Sequence, residues 1–245
     1  MQMNSSITVA EVAASSLAAV RVFERLGIDY CCGGRRPLAD ACREKGLDPK
    51  QVQHELELAL ASGQADDRDW SAAPLGELVN HILNKHHDYL KAELPLLADR
   101  LAKVYGIYNE RYGPTLTGLP EVFEGLRSEL EMHMTKEEQI LFPAVVVAEQ
   151  TVGCRGTLPP LPFGSFANPI AVMEREHDSA AHALARIRQI TSDFAVPEYA
   201  CATYRALMSG LEELERDLHL HIHLENNILF PRTLELERSY GRAGK

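Results

Sequence analysis

The sequence predicts an all-α protein in which a small N-terminal helical domain precedes an antiparallel four-helix bundle. Three observations support this prediction. Apolar residues recur at helical spacing along most of the chain, helix start and stop signals bound these stretches, and one segment repeats without a gap further along the chain. We predict the helical domain over residues 1–65 and the bundle over residues 74–238.

Composition excludes some classes of function. The chain has 245 residues and a formal net charge of −10, with 35 acidic against 25 basic residues. This balance argues against a nucleic-acid-binding face and against docking on an anionic membrane surface. The longest apolar run, near 140–148, is far shorter than the roughly 20 residues of a spanning helix. The N-terminus lacks the basic region of a secretory signal, so we expect a cytoplasmic protein that contacts neither membrane nor nucleic acid.

The first 65 residues contain the signals of three helices around one loop. Thr8 and Glu11 form a capping box, and an apolar stripe then runs to Leu26, with Gly27 at the helix end. The segment DYCCGG (29–34) is predicted to be a loop because two glycines free its backbone. The remaining two helices are predicted from their boundary residues, Pro37 and Gly46 for the second and Asp48-Pro49 through roughly Ala61 for the third.

Residues 62–72 are polar and are predicted to form a linker, with Trp70 as a clasp against the bundle. Four long helical patterns follow. We place them near 74–108, 119–150, 169–192 and 197–238, with Asn168-Pro169 and Pro197 as helix starts. The Pro- and Gly-rich stretch 153–169 connects the two halves of the bundle.

An internal repeat relates the second and fourth of these helices. LRSELEMHMTKEEQILFP (126–143) aligns with LERDLHLHIHLENNILFP (214–231) at an offset of 88 residues (221 − 133). More weakly, His87-Asp88 recurs as His177-Asp178 at an offset of 90. Two helix pairs that carry the same polar residues indicate a bundle with pseudo-two-fold symmetry.

The repeated polar residues have the spacing of metal ligands. His133 and Glu137 are four residues apart, as are His221 and Glu225, so each pair shares one face of its helix. These faces are otherwise apolar, and burying a carboxylate and an imidazole there costs several kcal/mol unless they are paired or bound to metal. With one histidine from each of the other helices, the predicted ligands are His87, His133, Glu137, His177, His221 and Glu225.

Six such ligands suit two metal ions. Each glutamate can bridge the pair while each metal keeps two imidazoles, and an oxo or hydroxo bridge would still leave an open position. Nitrogen and oxygen ligands with open positions suit iron or manganese, although imidazole also suits zinc. Structural zinc is usually closed and tetrahedral, often with cysteine, and no cysteine lies on these faces.

The other polar residues near the repeat are interpreted differently. Helical geometry turns the remaining histidines away from the ligand faces, or they have no repeat partner. We predict a structural or solvated role for them: His54, His81, His86, His182, His219 and His223. Glu174 has the ExxH spacing of ferritin-like bundles but no counterpart near His87, so it ranks below the two predicted bridges. Glu129 and Asp217 are interpreted either as carboxylates supporting the site or as surface charges.

The five cysteines do not form a disulfide framework. Cys31 and Cys32 are neighbours, whose Cα separation of about 3.8 Å lies below the usual disulfide range. We predict that both thiols are functional, because the adjacent glycines and Arg35 and Arg36 would lower a thiol pKa if they lie close. Three further cysteines are predicted to be inert: Cys42, Cys154 and Cys201.

These motifs resemble the RIC (repair of iron centres) family, di-iron proteins with a hemerythrin-like domain, over nearly the whole chain. DYCCGG resembles the mark of the family's short N-terminal domain, and HHD, HMTKEEQILFP, EHD and HIHLENNILFP resemble its four ligand helices. The resemblance places the ligands on the same six residues that the spacing selects and implies a centre of two iron ions. It also implies a role for Cys31 and Cys32 in redox chemistry or iron handover.

The resemblance implies a cytosolic stress protein that helps restore iron–sulfur clusters damaged by nitric oxide or oxidants. Its partners would be damaged iron–sulfur proteins, with NO or O₂ as small ligands and a homodimer as a further expectation. Three functions stay open at this point. They are iron donation to damaged clusters, which the resemblance favours, reduction of nitric oxide at the two irons, and hemerythrin-like binding or sensing of O₂ or NO.

Overall fold

A computed structural model of the chain describes residues 7–61, 68–112, 116–154 and 160–243. Within these ranges the regular structure is helical, and the β pairing consists of one isolated bridge between Thr8 and Pro37. The predicted all-α class is therefore confirmed. Residues 62–67 of the predicted linker lie outside the described ranges.

Eleven α-helical segments and three π-helical turns make up the described chain. In chain order they are α1 (Val9–Ser15), α2 (Leu17–Leu26), α3 (Leu38–Glu44), α4 (Pro49–Ala61), α5 (Leu75–Ile82), π1 (Leu83–His87), α6 (Asp88–Tyr112), α7 (Leu119–Lys136), π2 (Glu137–Leu141), α8 (Phe142–Gly153), α9 (Ala167–Ile190), α10 (Ala202–Leu224), π3 (Glu225–Leu229) and α11 (Phe230–Ala243). The chain divides into two compact units, residues 1–79, 145–162 and 219–245 in unit 1 and residues 80–144 and 163–218 in unit 2.

The N-terminal helices begin and end largely where their boundary residues predict. Glu11 N–H donates to Thr8 Oγ1 (3.2 Å), and Thr8 N–H donates to the Glu11 carboxylate (2.8 Å), so the capping box is present. Gly27 ends α2 in the left-handed conformation, with φ of +64°. The prediction of one continuous helix up to Leu26 is wrong, because Ser16 is extended and its hydroxyl caps a second helix by accepting from Ala18 N–H (3.0 Å).

Two other predicted helix starts shift along the chain. Pro37 is the N-cap of α3 rather than its first helical residue. The last long helix begins at Ala202 instead of Pro197, because residues 197–200 form a turn that Ala200 N–H closes on Pro197 O (2.9 Å). Both proline signals mark the correct connection and miss the helix start by a few residues.

Unit 1 has its own apolar core. Side chains from α1 to α4 pack together with Ile222 of α10, around the fully buried Phe23 and Leu56. α1 also lies against π3. The predicted clasp residue Trp70 accepts a hydrogen bond on its backbone carbonyl from Arg232 (2.9 Å), and its ring lies under the Arg68 guanidinium.

Unit 2 is built from α6, α7, α9 and most of α10. α7 packs against both α6 and α9, and leucines dominate the shared core, with Phe123 among its fully buried side chains. After α9 the chain turns through three consecutive left-handed residues, Ser192, Asp193 and Phe194. Arg188 stabilises this corner by pairing with Glu215 and Asp193 and covering the Phe194 ring.

None of the helices in the described ranges combines the length and apolar character needed to cross a membrane.

Candidate metal centre

Each π turn lies at a predicted metal ligand. Glu137 begins π2, Glu225 begins π3 and His87 ends π1. In π2 the amide of Phe142 donates to the carbonyl of Glu137, five residues earlier, and Phe230 repeats this bond with Glu225. Such wide turns inside α-helices are rare and concentrate at functional sites. The internal repeat therefore extends from the ligand residues to the backbone conformation that presents them.

In unit 2 the Glu137 carboxylate lies between imidazoles of two different helices. Its Oε2 atom is 3.4 Å from His87 Nε2, and its Oε1 atom is 3.3 Å from His133 Nε2. The His177 Nε2 atom lies 3.1 Å from His133 Nε2. One ligand atom each of His133, Glu137 and His177 falls within 4.8 Å of the others, and the same holds for His87 with Glu137.

In unit 1 the second half of the repeat forms its own pair. His221 Nε2 is 3.1 Å from Glu225 Oε1, and both side chains are buried. This pair has the same separation along its helix as His133 and Glu137. The structure thus places four predicted ligands together in unit 2 and two together in unit 1.

These distances fit a bound metal ion. Two donors in neighbouring positions, each about 2.1 Å from a zinc- or iron-sized ion, lie about 3.0 Å apart. The imidazole and carboxylate atoms above are separated by 3.1–3.4 Å. The two oxygens of Glu137 face different imidazoles. Buried nitrogen and oxygen donors without thiolate suit iron, manganese or zinc.

A carboxylate and a lysine support His87. Its Nδ1 atom lies 2.8 Å from Glu138 Oε1, and Glu138 in turn pairs with Lys91 Nζ at 2.7 Å. Such a contact puts the proton on Nδ1 and leaves the Nε2 lone pair toward Glu137, as metal-binding histidines require. Burial alone would raise the pKa of Glu138, but hydrogen bonds from Lys91 and His87 outweigh it and lower that pKa below its usual value.

His133 has the same support from a different helix. Its Nδ1 atom lies 2.9 Å from Glu176 Oε2, and Glu176 also pairs with Lys136. Burial again opposes the shift, and hydrogen bonds from Lys136 and His133 lower the pKa of Glu176. Glu176 also lines a surface groove of about 710 Å³, together with Glu129, Lys136 and neighbouring side chains of α7 and α9.

Sequence reasoning missed both supporting carboxylates. It considered Glu129, Glu174 and Asp217, whereas the structure gives the contacts to Glu138 and Glu176. Each of these residues directly adjoins a predicted ligand, Glu138 after Glu137 and Glu176 before His177. Adjacency could have singled them out, but the helix that each one reaches depends on tertiary packing.

The other histidines near the ligands have polar or aromatic partners. His86 is buried, and its Nδ1 atom lies 2.9 Å from Asp217 Oδ1, so Asp217 supports a neighbour of a ligand. In unit 1, His219 and His223 both contact the Tyr30 ring edge-on, with ring centroids 6.3 and 5.5 Å away. Burial lowers the pKa of His223 to about 4, so this imidazole is neutral near pH 7.

Asp29 holds the backbone of the Cys31–Cys32 loop, and Arg36 Nε donates to the Gly33 carbonyl (3.4 Å). Asp29 Oδ1 accepts from the backbone of Cys31 (3.1 Å) and Cys32 (3.0 Å), while Arg36 pairs with Glu44. The two sulfurs lie 3.8 Å apart. The expected lowering of a thiol pKa by arginine does not hold for Cys31, because its hydrogen bond to Cys32, its burial and the Asp29 charge raise that pKa well above the usual value.

Comparisons with known proteins identify the type of each domain. The hemerythrin HHE cation-binding domain model matches residues 78–233, and a domain of unknown function, ScdA_N, matches residues 5–60. The iron–sulfur cluster repair protein YtfE of Escherichia coli (strain K12 / DH10B) is 39% identical over 225 residues, which cover 91% of this chain and 94% of that protein. YtfE of Shigella boydii serotype 4 (strain Sb227) gives the same identity and coverage.

Fold and site together define a hemerythrin-type helical protein with a buried histidine and glutamate group compatible with two iron ions. The YtfE matches, at 39% identity over 91% of this chain, identify the family within this class. The chain belongs to the RIC family of iron–sulfur cluster repair proteins.

Proposed function

We propose that this protein holds a di-iron centre and uses it to repair damaged iron–sulfur clusters. The observation that carries the proposal is the Glu137 carboxylate, whose two oxygens face imidazoles of different helices that are each oriented by a glutamate–lysine pair. Relatives 39% identical over 91% of the chain are named for cluster repair. The division into residues 1–65 and 74–238 remains our proposal for the domains.

The proposed ligands are His87, His133, Glu137, His177, His221 and Glu225. The repeat at an offset of 88 residues supports the same ligand role for both halves, and all six residues fall within the matched HHE domain, 78–233. When bound, the irons would supply redox and ligand-binding chemistry. The chain's own residues keep His87 and His133 in one tautomer and exclude water through burial, and Glu137 and Glu225 would serve as carboxylate ligands.

Within this function we propose iron donation as the mechanism. Imidazole and carboxylate ligands hold iron less tightly than a thiolate cage, so release is chemically accessible. The groove beside Glu176 brings solvent to a carboxylate that contacts His133. Cys31 and Cys32, with sulfurs 3.8 Å apart, are proposed to assist in redox chemistry or iron handover.

The first test is metal analysis with Mössbauer spectroscopy on protein purified without air. Two coupled irons per chain are expected, and a single zinc would overturn the proposed centre. The second test mixes the iron-loaded protein with an apo-ferredoxin and follows cluster assembly. Transfer should be lost in His133→Ala and kept in His54→Ala, which removes an exposed histidine of the N-terminal helices.

A parallel assay separates donation from its alternatives. Catalytic formation of N₂O from NO over many turnovers, without iron transfer, would replace donation by nitric oxide reduction. Reversible O₂ or NO spectra with neither activity would replace it by a binding or sensing module.

A further inference from the structure

The backbone of the dithiol loop is held from two sides. On one side, Asp29 accepts the amides of Cys31 and Cys32, and its second oxygen accepts from Gly33 N–H (2.9 Å). These bonds fix the donors of the loop and come from its own segment. The Gly33 carbonyl accepts from Arg36 of the same segment (3.2 Å to its backbone N–H), whereas the carbonyls of Tyr30 and Cys31 are held by another part of unit 1.

Asn227 contacts these carbonyls. Its Nδ2 amide donates to Tyr30 O (2.9 Å) and, with a longer contact, to Cys31 O (3.4 Å). The approach depends on Gly34, where a Cβ atom would come within 2.7 Å of Tyr30 O and 3.2 Å of Asn227 Oδ1. A side chain at position 34 would therefore separate the loop from Asn227.

Asn227 belongs to the π3 turn, which begins at the proposed ligand Glu225. The same amide lies 2.9 Å from Nδ1 of His223, a buried imidazole that also forms backbone hydrogen bonds with Tyr30 and Ala13. His223 and Asn227 thus flank Glu225 by two residues on either side and share contacts with one loop. Movement of the π3 backbone would move the amide that holds the carbonyls of Tyr30 and Cys31.

We propose that Asn227 is a positioning residue that couples the Cys31–Cys32 dithiol to the π3 turn, so that metal on Glu225 restrains the thiols. The proposal rests on the proposed metal site. A metal bound to Glu225 restricts the turn, the turn fixes Asn227, and Asn227 holds the loop with its buried Cys31. Because coupling between two sites is reciprocal, locking the loop would in turn favour the metal-bound turn.

The test measures alkylation of Cys31 and Cys32 by iodoacetamide in the full chain, with and without bound ferrous iron, by peptide mass spectrometry. The exposed Cys154 and Cys201 serve as internal standards. Iron should slow alkylation of the pair in the wild type. In Asn227→Ala the iron-loaded protein should react about tenfold faster than the wild type, because the loop loses the hydrogen bonds to Tyr30 O and Cys31 O, and the difference between loaded and metal-free protein should vanish.

The repeat provides a matched control. Gln139 stands at the position equivalent to Asn227 in π2 and is exposed, so Gln139→Ala should keep wild-type alkylation in both states. Asn227→Asp preserves the side-chain volume and removes both donors, so it should behave like Asn227→Ala even if alanine perturbs the fold. Thermal melts establish that each variant is folded.

Equal alkylation in wild type and both Asn227 variants would overturn the proposal, as would a difference between loaded and metal-free protein that persists in these variants. Iron content is measured on the same samples. A wild type that takes up no iron contradicts the proposed function, whereas an iron-loaded wild type without slowed alkylation contradicts only the coupling. In either case, alkylation of the metal-free proteins tests whether Asn227 positions the loop. Faster alkylation in the Asn227 variants than in the wild type supports this role, and equal rates contradict it.

Discussion

The two halves of the internal repeat share their ligands and differ in what surrounds them. Both carry a histidine, a glutamate four residues later and a π turn that begins at the glutamate. The residues between and after the ligands have diverged, as the aligned pairs show: Thr135 and His223, Lys136 and Leu224, Glu138 and Asn226, Gln139 and Asn227. The first member of each pair is at least partly exposed, whereas the second is buried or half-buried.

This difference indicates that each repeated helix meets two separate requirements, metal ligation and local packing. The proposed metal centre requires the ligands and the π turn, which accounts for their presence in both halves. The other positions answer to local packing, and in the first half they carry charged groups such as Glu138 with Lys91. In the second half the π3 turn lies against α1, and His223 and Asn227 contact Tyr30 within unit 1. Substitution at matched positions can therefore separate metal binding from packing.

The largest expected effect is common to both halves. Glu137→Gln and Glu225→Gln each remove a proposed bridging carboxylate while preserving side-chain volume. Each variant should lose at least one of the two irons and the antiferromagnetic coupling between them. Iron analysis with Mössbauer spectroscopy measures this result, and a variant that kept two coupled irons would show that its glutamate is not a bridge.

The next effect should be larger in the first half of the repeat than in the second. Glu138→Gln removes the carboxylate that orients His87, and changes of this kind typically lower metal affinity by about 10–100-fold. Asn226→Gln, at the matched position of the second half, should have a smaller effect, since an amide stands there already. Competition with a chelator of known affinity measures both variants. Equal losses would contradict the distinct role assigned to Glu138.

The proposed ligands could be predicted from the sequence, whereas the residues that support them could not. Spacing and the repeat selected His133, Glu137, His221 and Glu225, because residues four apart share a helical face whatever surrounds them. The π turns were not predicted, since an extra residue per turn leaves no mark on an apolar pattern that already tolerates irregularity. Their sequence signal is the shared ILFP that follows each glutamate at a distance of three residues.

Tertiary contacts explain the remaining misses. The sequence could place Ser16 in an apolar stripe but could not show that its hydroxyl caps a new helix. It could separate His219 and His223 from the ligand face by helical angle, yet the Tyr30 ring that they contact lies almost 200 residues earlier in the chain. Arg36 lies near the thiols in sequence, but its guanidinium contacts Glu44 and the Gly33 carbonyl, whereas the Cys31 thiol lies 3.4 Å from Asp29 Oδ1.

Substitution should reduce the stability of the fold more in the second half of the repeat than in the first. His223→Ala empties a buried position and removes hydrogen bonds, so we expect a loss of about 2–3 kcal/mol in the free energy of unfolding. Thr135→Ala, its partner in the repeat, affects an exposed hydroxyl and should change that energy by less than about 0.5 kcal/mol. Urea denaturation of the metal-free protein measures both changes. Similar losses would indicate that the two turns are packed alike.

The smallest effect tests whether α1 supports π3. Thr8→Ala removes the N-cap of α1, a loss of about 1 kcal/mol for helix caps in general. Because α1 lies against π3, amide hydrogen exchange should become faster in π3 and stay unchanged in π2. Equal acceleration in both turns, or in neither, would show that α1 does not selectively stabilise the second half.

The Thr8 cap also makes the stability of the folded state depend on pH, and the pKa of Glu11 sets the direction of this dependence. Hydrogen bonds from the backbone and the hydroxyl of Thr8 lower the pKa of Glu11, so its ionised form stabilises the folded state. That contribution is fully present above the pKa of Glu11 in the unfolded chain and is lost as the pH falls through the lower folded value. Since Glu11 is exposed to solvent, the contribution is small. In the metal-free protein, Thr8→Ala should therefore differ most from the wild type near neutral pH, and the difference should shrink in acid as Glu11 is protonated.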